Sequence, residues 1–150
     1  MGGLTKLMQE EHFRKLERMY ASAPINRYFS PEIRISEGSA EVTIPVRPDL
    51  FHAAGAVHGA VYFKAIDDAA FFAANSVVEK VFVLTVSFNS YLVRPISEGE
   101  MTATGRLVHH HPRLMVAESV VVDSGGRQIA RGSGTFVPSK IRLTPEIGYE

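Results

Sequence analysis

The sequence predicts an α+β domain in which one antiparallel sheet wraps around a long central helix. An Ala- and Phe-rich segment of helical character spans 59–76, and a run of strand patterns follows it between 81 and 137. Small residues interrupt these strands, where glycine often marks the close approach of another backbone, and we expect the central helix to be that neighbour. These small residues are Ala103, Gly105, Ala130, Gly132 and Gly134.

Length and composition are typical of one globular domain, which we expect to span residues 1–150. Hydrophobic residues make up 45% of the chain and charged residues 21%, so a disordered chain is disfavoured. The formal net charge is zero, which disfavours nucleic acid as a partner. The chain has no cysteine, and it shows neither a signal-peptide block nor an apolar run of about 20 residues. We therefore expect a soluble cytoplasmic protein without disulfides and without a membrane segment.

Before the central segment, the sequence predicts an amphipathic helix over about 4–20 and then a pair of strands. Apolar residues recur at near-helical spacing up to Tyr20, and Pro24 ends the pattern. We expect this helix to pack on its own domain; the alternative is a helix that binds a partner or a membrane surface. From residue 32 apolar and polar residues alternate, a Glu-Gly-Ser turn follows, and Pro45 ends the second strand. The core should therefore begin near residue 30.

After the central segment, four strands are predicted over about 81–93, 101–110, 114–122 and 128–137. An Asp-Ser-Gly-Gly-Arg sequence between the last two predicts a hairpin turn. The polar tail over 139–150 is expected to lie outside the core. Strict alternation in the first strand gives two faces, one with Val86, Phe88 and Leu92 and the other with Thr85, Ser87 and Asn89.

The start and the middle of the central segment carry the candidate chemistry. If the helix begins near Gly59, its first amide groups lack partners and carry partial positive charge, so they suit a carbonyl oxygen. Asp67 and Asp68, nine and ten positions after His58, are costly in an apolar helix unless they are paired or used. One of them can act as a nucleophile or activate a water. The alternative is that Gly59 only permits a turn and that the aspartates make core or interface hydrogen bonds.

Three blocks of sequence carry a family resemblance. Val57-His58-Gly59-Ala60 followed by Ile66-Asp67-Asp68-Ala69-Ala70 resembles the His-Gly-Gly…Asp-x-Ala pattern of the hotdog-fold acyl-CoA thioesterases of the PaaI-like, phenylacetate-pathway group. The segments 85–87 and 92–95 are similar to the strand that follows in that family, and 126–136 resembles its last hairpin. The similarity covers roughly residues 30–137. It implies a hotdog fold, in which an antiparallel sheet wraps around a long helix, here with an extra N-terminal helix.

The resemblance implies roles for four residues. Asp67, rather than Asp68, takes the position of the catalytic carboxylate. The backbone amide of Gly59 polarises the thioester carbonyl, and His58 lines the same pocket. Thr85 holds the position of a supporting hydroxyl, which orients water or a carboxylate from the neighbouring subunit.

Five further residues are expected around the substrate. Ala60 replaces the second glycine of the family pattern, and His52 stands where many members carry an asparagine that positions the substrate. Asp68 becomes a structural or supporting acid beside the substrate. Arg94 and Arg113 can meet the phosphates of coenzyme A, although solvated charges in turns are an equal alternative.

The expected partners are an acyl-CoA substrate and further copies of the chain, as a homodimer or homotetramer. No metal or other cofactor is expected, because the consecutive histidines 109–111 point to alternate faces of a strand end. The function predicted is hydrolysis of aryl- or fatty-acyl-CoA to the free acid and coenzyme A. A non-catalytic acyl-CoA binder or sensor with the same fold is the alternative, favoured by His52 and Ala60, and a hotdog dehydratase is a weaker third.

Overall fold

A computed structural model describes residues 2–150, apart from the side chains of residues 2 and 4. The order of elements agrees with the predicted hotdog class, an α+β fold with an extra N-terminal helix. Two short 3-10 turns, Pro48–Leu50 and Pro145–Ile147, add to the regular elements. These are α1 (Gly2–Ser22), α2 (Asn26–Phe29), β1 (Glu32–Ser36), β2 (Ser39–Pro45), α3 (Gly59–Asn75), β3 (Val81–Leu92), β4 (Glu100–His111), β5 (Leu114–Val122) and β6 (Gln128–Arg142).

The six strands form one antiparallel sheet in the order β1-β2-β4-β5-β6-β3. Its concave side covers α3, whose apolar face is fully buried because the sequence provides alanines and bulky side chains at helical spacing. β3 lies at one end of the sheet and pairs only with β6. None of the helices within residues 2–150 is long and apolar enough to cross a membrane.

The small residues in the strands have two different neighbours. A Cβ added to Gly105 of β4 would lie 2.1 Å from the carbonyl oxygen of Ala69 in α3, so this glycine does admit the helix. At Gly132 and Gly134 of β6, by contrast, the added atom would meet β3, at 2.5 Å from the Asn89 carbonyl oxygen and at 2.4 Å from the Phe88 ring respectively. The prediction that the helix is the neighbour is therefore correct for Gly105 and wrong for the two glycines of β6.

The alternation predicted for β3 is wrong at its centre. The pairing with β6 shifts between Thr85 and Ser87, so Val86 is a bulge residue. As a result Thr85 and Phe88 both face α3, where Thr85 reaches Asp67 and Phe88 contacts the ring of Phe63 at 5.7 Å between centroids. A strict period of two would have put them on opposite faces.

The C-terminal residues form part of the packed structure, which the sequence pattern did not indicate. β6 continues to Arg142, and Pro138 is tolerated because β5 pairs only as far as Phe136, so this part of β6 has β3 as its one neighbouring strand. Beyond it, Leu143 and Tyr149 pack against the core. The amphipathic α1 packs on its own domain as predicted, through buried residues that include His12, Phe13, Leu16, Met19 and Tyr20.

Candidate active site

The first turn of α3 forms one half of the candidate site. His58 is the N-cap residue, with an extended backbone (φ −63°, ψ 143°), and its Nδ1 accepts a hydrogen bond from the amide of Ala60 at 2.9 Å. The amide of Gly59, at the first helical position, has no acceptor within the helix. Leu92 of β3 lies beside Gly59, since a Cβ added there would be 3.2 Å from its Cδ1 atom. Tyr62 fixes this turn by donating to the carbonyl oxygen of Arg94 at 2.8 Å.

Asp67 forms the other half, two turns further along α3. Its Oδ1 accepts a hydrogen bond of 2.9 Å from Thr85 Oγ1 of the same chain. Burial raises the pKa of the Asp67 carboxyl to about 6, because the charged form loses water there. The Thr85 hydrogen bond and the charge of Lys64 act in the opposite direction, whereas the charge of Asp68 raises the pKa further. A carboxyl group with this pKa is mostly ionised at neutral pH and still able to exchange a proton.

Asp68 has a different environment from its neighbour. Its Oδ2 accepts hydrogen bonds from the Tyr20 hydroxyl at 2.6 Å and from Lys64 Nζ at 2.7 Å. Lys64 Nζ also lies over the rings of Tyr20 and Phe29, at 5.4 Å and 5.2 Å from their centroids. Burial, followed by the charge of Asp68, raises the pKa of Tyr20, so this hydroxyl remains a donor. Asp68 is therefore held by two donors in a local network, whereas Asp67 is held by Thr85.

Two contacts from the sheet hold α3 beside the aspartates. Ser119 of β5 is buried and donates to the carbonyl oxygen of Ile66 at 2.7 Å. Gly105 of β4 contacts the backbone at Ala69, one turn further on. Neither Ser119 nor Tyr20 was recognised from the sequence, because a serine in a strand and a tyrosine in an amphipathic helix carry no distinguishing pattern.

A cavity of about 880 Å³ opens beside Asp67 and Thr85. Its polar groups include Lys64 and Asp68, and the larger part of its wall is apolar. Aromatic residues of α3 and β3 form one side, and the end of α1, the α1–α2 junction and the C-terminal residues form the other. The aromatic and aliphatic members include Phe71, Phe72, Phe82, Leu84, Ile25, Ile141 and Ile147.

Within one chain, the predicted site residues fall into two groups that do not meet. Gly59 and Asp67 are eight residues apart on one helix, which is about 12 Å along its axis. His58 and Ala60 lie with Gly59. His52 is exposed in the loop before α3, where its Nδ1 accepts from the amide of Ala54 at 3.0 Å.

The two arginines also lie at opposite ends of the sheet. Arg94 follows the Leu92 end of β3, on the side of Gly59. Arg113 lies in the β4–β5 turn, whose neighbouring residue Met115 pairs with Phe136, the residue that pairs with Thr85. Both arginines are exposed. A single chain therefore cannot present the Gly59 amide, the Asp67 carboxylate and both arginines to one small molecule.

The three consecutive histidines do not form a metal site. His109, His110 and His111 are exposed at the end of β4, and His111 Nδ1 accepts from the amide of Arg113 at 3.2 Å. Within residues 2–150, no group of three or more histidine, aspartate or glutamate residues is arranged to hold a metal ion.

Comparison with known proteins identifies the family of this chain. The model of the thioesterase superfamily matches residues 54–130, which include the start of α3 and both aspartates. The chain belongs to the thioesterase superfamily. A candidate esterase of Mycobacterium tuberculosis is 35% identical over 97 residues, which cover 62% of this chain and 69% of that protein. Another, from Thermoplasma acidophilum, is 26% identical over 81% of this chain and 92% of that protein.

Solved structures agree with this family assignment. The E. coli PaaI protein from the phenylacetic acid degradation operon superposes with a TM-score of 0.82, covering 91% of this chain and 99% of that one at 20% identity, which supports the fold. A thioesterase family protein from Silicibacter pomeroyi gives a TM-score of 0.78 at 25% identity, covering 84% and 96% of the two chains. The superfamily and the names of these relatives support hydrolase activity at a general level.

Proposed function

We propose that this member of the thioesterase superfamily hydrolyses acyl-CoA thioesters to the free acid and coenzyme A, in a site shared by two chains. The acyl carbonyl accepts a hydrogen bond from the Gly59 amide of one chain. Asp67 of the other chain takes a proton from a water that attacks the carbonyl carbon, or attacks this carbon itself. In both cases the carbon–sulfur bond breaks, and the coenzyme A thiolate leaves and takes up a proton. After direct attack, a water hydrolyses the acyl–Asp67 anhydride, which releases the free acid and restores the carboxylate. Thr85, from the same chain as Asp67, orients the carboxylate through its hydrogen bond.

The environment of Asp67 is the observation that carries this proposal. The carboxyl group is partly buried beside a cavity, it receives one hydrogen bond, and its pKa is raised to about 6. Such a group is ionised at neutral pH yet close enough to that pH for efficient proton transfer. A carboxylate with a purely structural role would be expected to accept from more donors, as Asp68 does from Tyr20 and Lys64 at its Oδ2 atom.

The need for a second chain follows from the distance between the two halves of the site. β3 offers the means, because it is a sheet edge of twelve residues on whose outer side no strand of residues 2–150 lies. Exposed apolar side chains follow this edge: Leu84, Val86, Tyr91, Leu92 and Val93. An exposed apolar edge of this length favours pairing with another copy.

Antiparallel pairing of two β3 strands brings the halves together. In such a pair, the Leu92 end of one strand lies beside the Thr85 half of the other. Gly59 lies beside Leu92, and Asp67 is hydrogen-bonded to Thr85. The Gly59 amide of each chain therefore approaches the Asp67 carboxylate of its partner. The same operation brings Arg94 of one chain towards Arg113 of the other, which suits the phosphates of one coenzyme A.

Asp67→Asn tests the proposal. Purified protein is given a panel of aryl- and fatty-acyl-CoAs with a thiol-trapping dye, and we expect the variant to lose on the order of a hundredfold or more in turnover. Asp49→Asn is the matched control, because Asp49 is 56% exposed and pairs only with the nearby Arg47. Thioester hydrolysis absent from the whole panel, or unchanged in Asp67→Asn, would refute the proposal.

The alternative of a non-catalytic acyl-CoA binder rests on His52 and Ala60. The amide of Ala60 is occupied by His58, whereas the ring of His52 accepts a hydrogen bond at Nδ1, which leaves its Nε2–H group to donate. Calorimetry distinguishes the two functions. Tight binding of acyl-CoA without consumption would establish the binder.

A further inference from the structure

We propose that the C-terminal segment Leu143–Glu150, here called the strap, is the end wall of the acyl pocket, and that the pocket therefore accepts a large apolar acyl group. The inference rests on the proposed function, which fixes the carbonyl at Asp67. It goes beyond that function because it names the size and chemistry of the acyl group and the residues that select it.

The cavity is polar where the carbonyl would lie and apolar further in. Asp67 and Thr85 define the polar end. Phe71 is the next turn of α3 beyond Asp67, Phe82 precedes Thr85 on β3, and their ring centroids are 5.0 Å apart. An acyl chain that starts at Asp67 and avoids the Gly59 end of the helix therefore runs along these two packed aromatic rings, where apolar surface is removed from water.

Two segments distant in sequence also line the cavity. Ile25, between α1 and α2, lines it from one direction, and Ile147 of the strap lines it from another. Ile25 is 57% exposed and Ile147 38% exposed. Large aliphatic side chains left so open at a cavity wall are available to contact an apolar ligand.

The strap is held in this position by specific contacts. The Tyr149 hydroxyl donates to His12 Nδ1 at 2.7 Å, and His12 Nε2 donates to the carbonyl oxygen of Asn75 at the end of α3, at 3.0 Å. Gly148 has φ +91° and lies so close to α1 that an added Cβ would be 2.4 Å from Ser22 Oγ. The strap is thus fastened to α1 and, through His12, to the helix that carries Asp67.

The size of the space indicates the class of acyl group. At about 880 Å³ the cavity lies in the upper part of the range of about 300–1,000 Å³ found for pockets that enclose drug-sized ligands. An acetyl group would leave most of it unfilled. A long alkyl chain and a fused aryl group share the required bulk and apolar character, and the test separates them.

The test measures kcat/KM for acetyl-, hexanoyl-, dodecanoyl-, benzoyl- and naphthoyl-CoA. We expect the wild-type protein to favour dodecanoyl- or naphthoyl-CoA over acetyl-CoA by about a hundredfold, since each apolar group contributes to binding. Ile147→Trp fills the end of the pocket, so the ratio of dodecanoyl to hexanoyl activity should fall by about tenfold or more. Leu7→Trp is the control, because Leu7 is 69% exposed on α1 and is not part of the cavity wall.

Ile25→Trp is a second test, and it leaves the strap unchanged. It should also lower the ratio of dodecanoyl to hexanoyl activity, because residue 25 lines the same cavity. This result would hold even if Ile147→Trp displaced the strap. A preference for acetyl-CoA, or the wild-type ratio in both Ile25→Trp and Ile147→Trp, would overturn the inference while hydrolysis itself continued to support the proposed function. If no thioester is hydrolysed, the proposed function fails, and calorimetry with dodecanoyl-CoA decides the inference. Weaker binding of dodecanoyl-CoA to Ile25→Trp and Ile147→Trp than to Leu7→Trp supports the strap as the end wall of the pocket. Equal binding to all three variants refutes it.

Discussion

Asp67 owes its proposed reactivity to its immediate surroundings. Its pKa of about 6 lies above the ordinary value because of burial, and catalysis by the carboxylate requires the ionised form. Activity should therefore be low at acid pH and rise with a midpoint near pH 6 in a plot of kcat/KM against pH. The Thr85 hydrogen bond stabilises the carboxylate and lowers this pKa, so its removal in Thr85→Val should move the midpoint to higher pH.

The pH profile also distinguishes Thr85 from a merely structural residue. A loss of folding would lower activity at every pH without moving the midpoint. Asp49→Asn should retain the wild-type midpoint, because Asp49 pairs with Arg47 and does not contribute to the pKa shift of Asp67. A Thr85→Val enzyme with an unchanged or lower midpoint would contradict the assignment of this hydroxyl.

The backbone amide of Gly59 can be removed by a single substitution. Proline is tolerated at the first position of a helix, and His58 already has the extended backbone that a residue before proline requires. Gly59→Pro should therefore fold but lose about a hundredfold or more in kcat, because one oxyanion donor is missing. Gly59→Ala keeps the amide and adds the same Cβ beside Leu92. Similar activity in the two variants, measured with the thiol-trapping assay, would exclude the amide from the mechanism.

At the residue scale, the sequence indicated part of the candidate site. Gly59 and Asp67 could be selected from local features. A helix start has amide groups without partners, and a carboxylate in an apolar helix is costly to bury unless it is paired or used. The side of β3 on which Thr85 lies could not be derived, since the bulge at Val86 depends on the pairing with β6. Tyr20 and Ser119 reach α3 from elements 48 and 53 residues away in sequence from the groups that they bind, and no local pattern records such contacts.

At the element scale, Gly105 determines how closely α3 can approach the sheet. A Cβ in Gly105→Ala would lie 2.1 Å from a backbone oxygen and 2.6 Å from a backbone nitrogen of α3, so the helix itself would have to move. We expect a loss of about 3 kcal/mol in the free energy of unfolding, at the upper end of the usual cost of overpacking. Urea unfolding measures it.

Gly3→Ala is the control for that substitution, because nothing lies within 4 Å of a Cβ added at Gly3 in α1. It should leave the free energy of unfolding unchanged or raise it by less than about 1 kcal/mol. Equal urea midpoints for Gly105→Ala and Gly3→Ala would contradict the prediction that a Cβ at position 105 displaces α3. Gly134 of β6 has a different neighbour, the Phe88 ring, which is a side chain that can rotate, so Gly134→Ala should cost less than Gly105→Ala.

The order of elements was predictable because each has its own periodicity and is bounded by glycine or proline. The position of the strap could not be predicted in this way, because it depends on contacts between residues distant in sequence. Its anchoring depends on the pairing of His12 with Tyr149, 137 residues later, and on the close contact of Gly148 with α1. A polar tail with isolated apolar residues gives no sign of these contacts, so the sequence predicted a segment outside the core.

At the scale of the whole molecule, the separation of Gly59 from Asp67 predicts that two defective chains can repair one another. In a dimer of Asp67→Asn with Gly59→Pro, one site combines both defects. The other site takes its intact Asp67 from the Gly59→Pro chain and its intact Gly59 from the Asp67→Asn chain. Random mixing makes half of the dimers mixed, and half of their sites are intact, so activity should recover to about a quarter of the wild-type value.

The experiment requires that subunits exchange, which is achieved by unfolding and refolding the two variants together. Refolded Asp67→Asn mixed with Asp67→Ala is the control and should remain inactive, because every site lacks the carboxylate. A site within one chain predicts no recovery for either mixture, since each chain keeps its own defect. Sedimentation of the refolded protein completes the test: a stable monomer would contradict the shared site, whereas recovery near a quarter in a dimer or tetramer requires that Gly59 and Asp67 act from different chains.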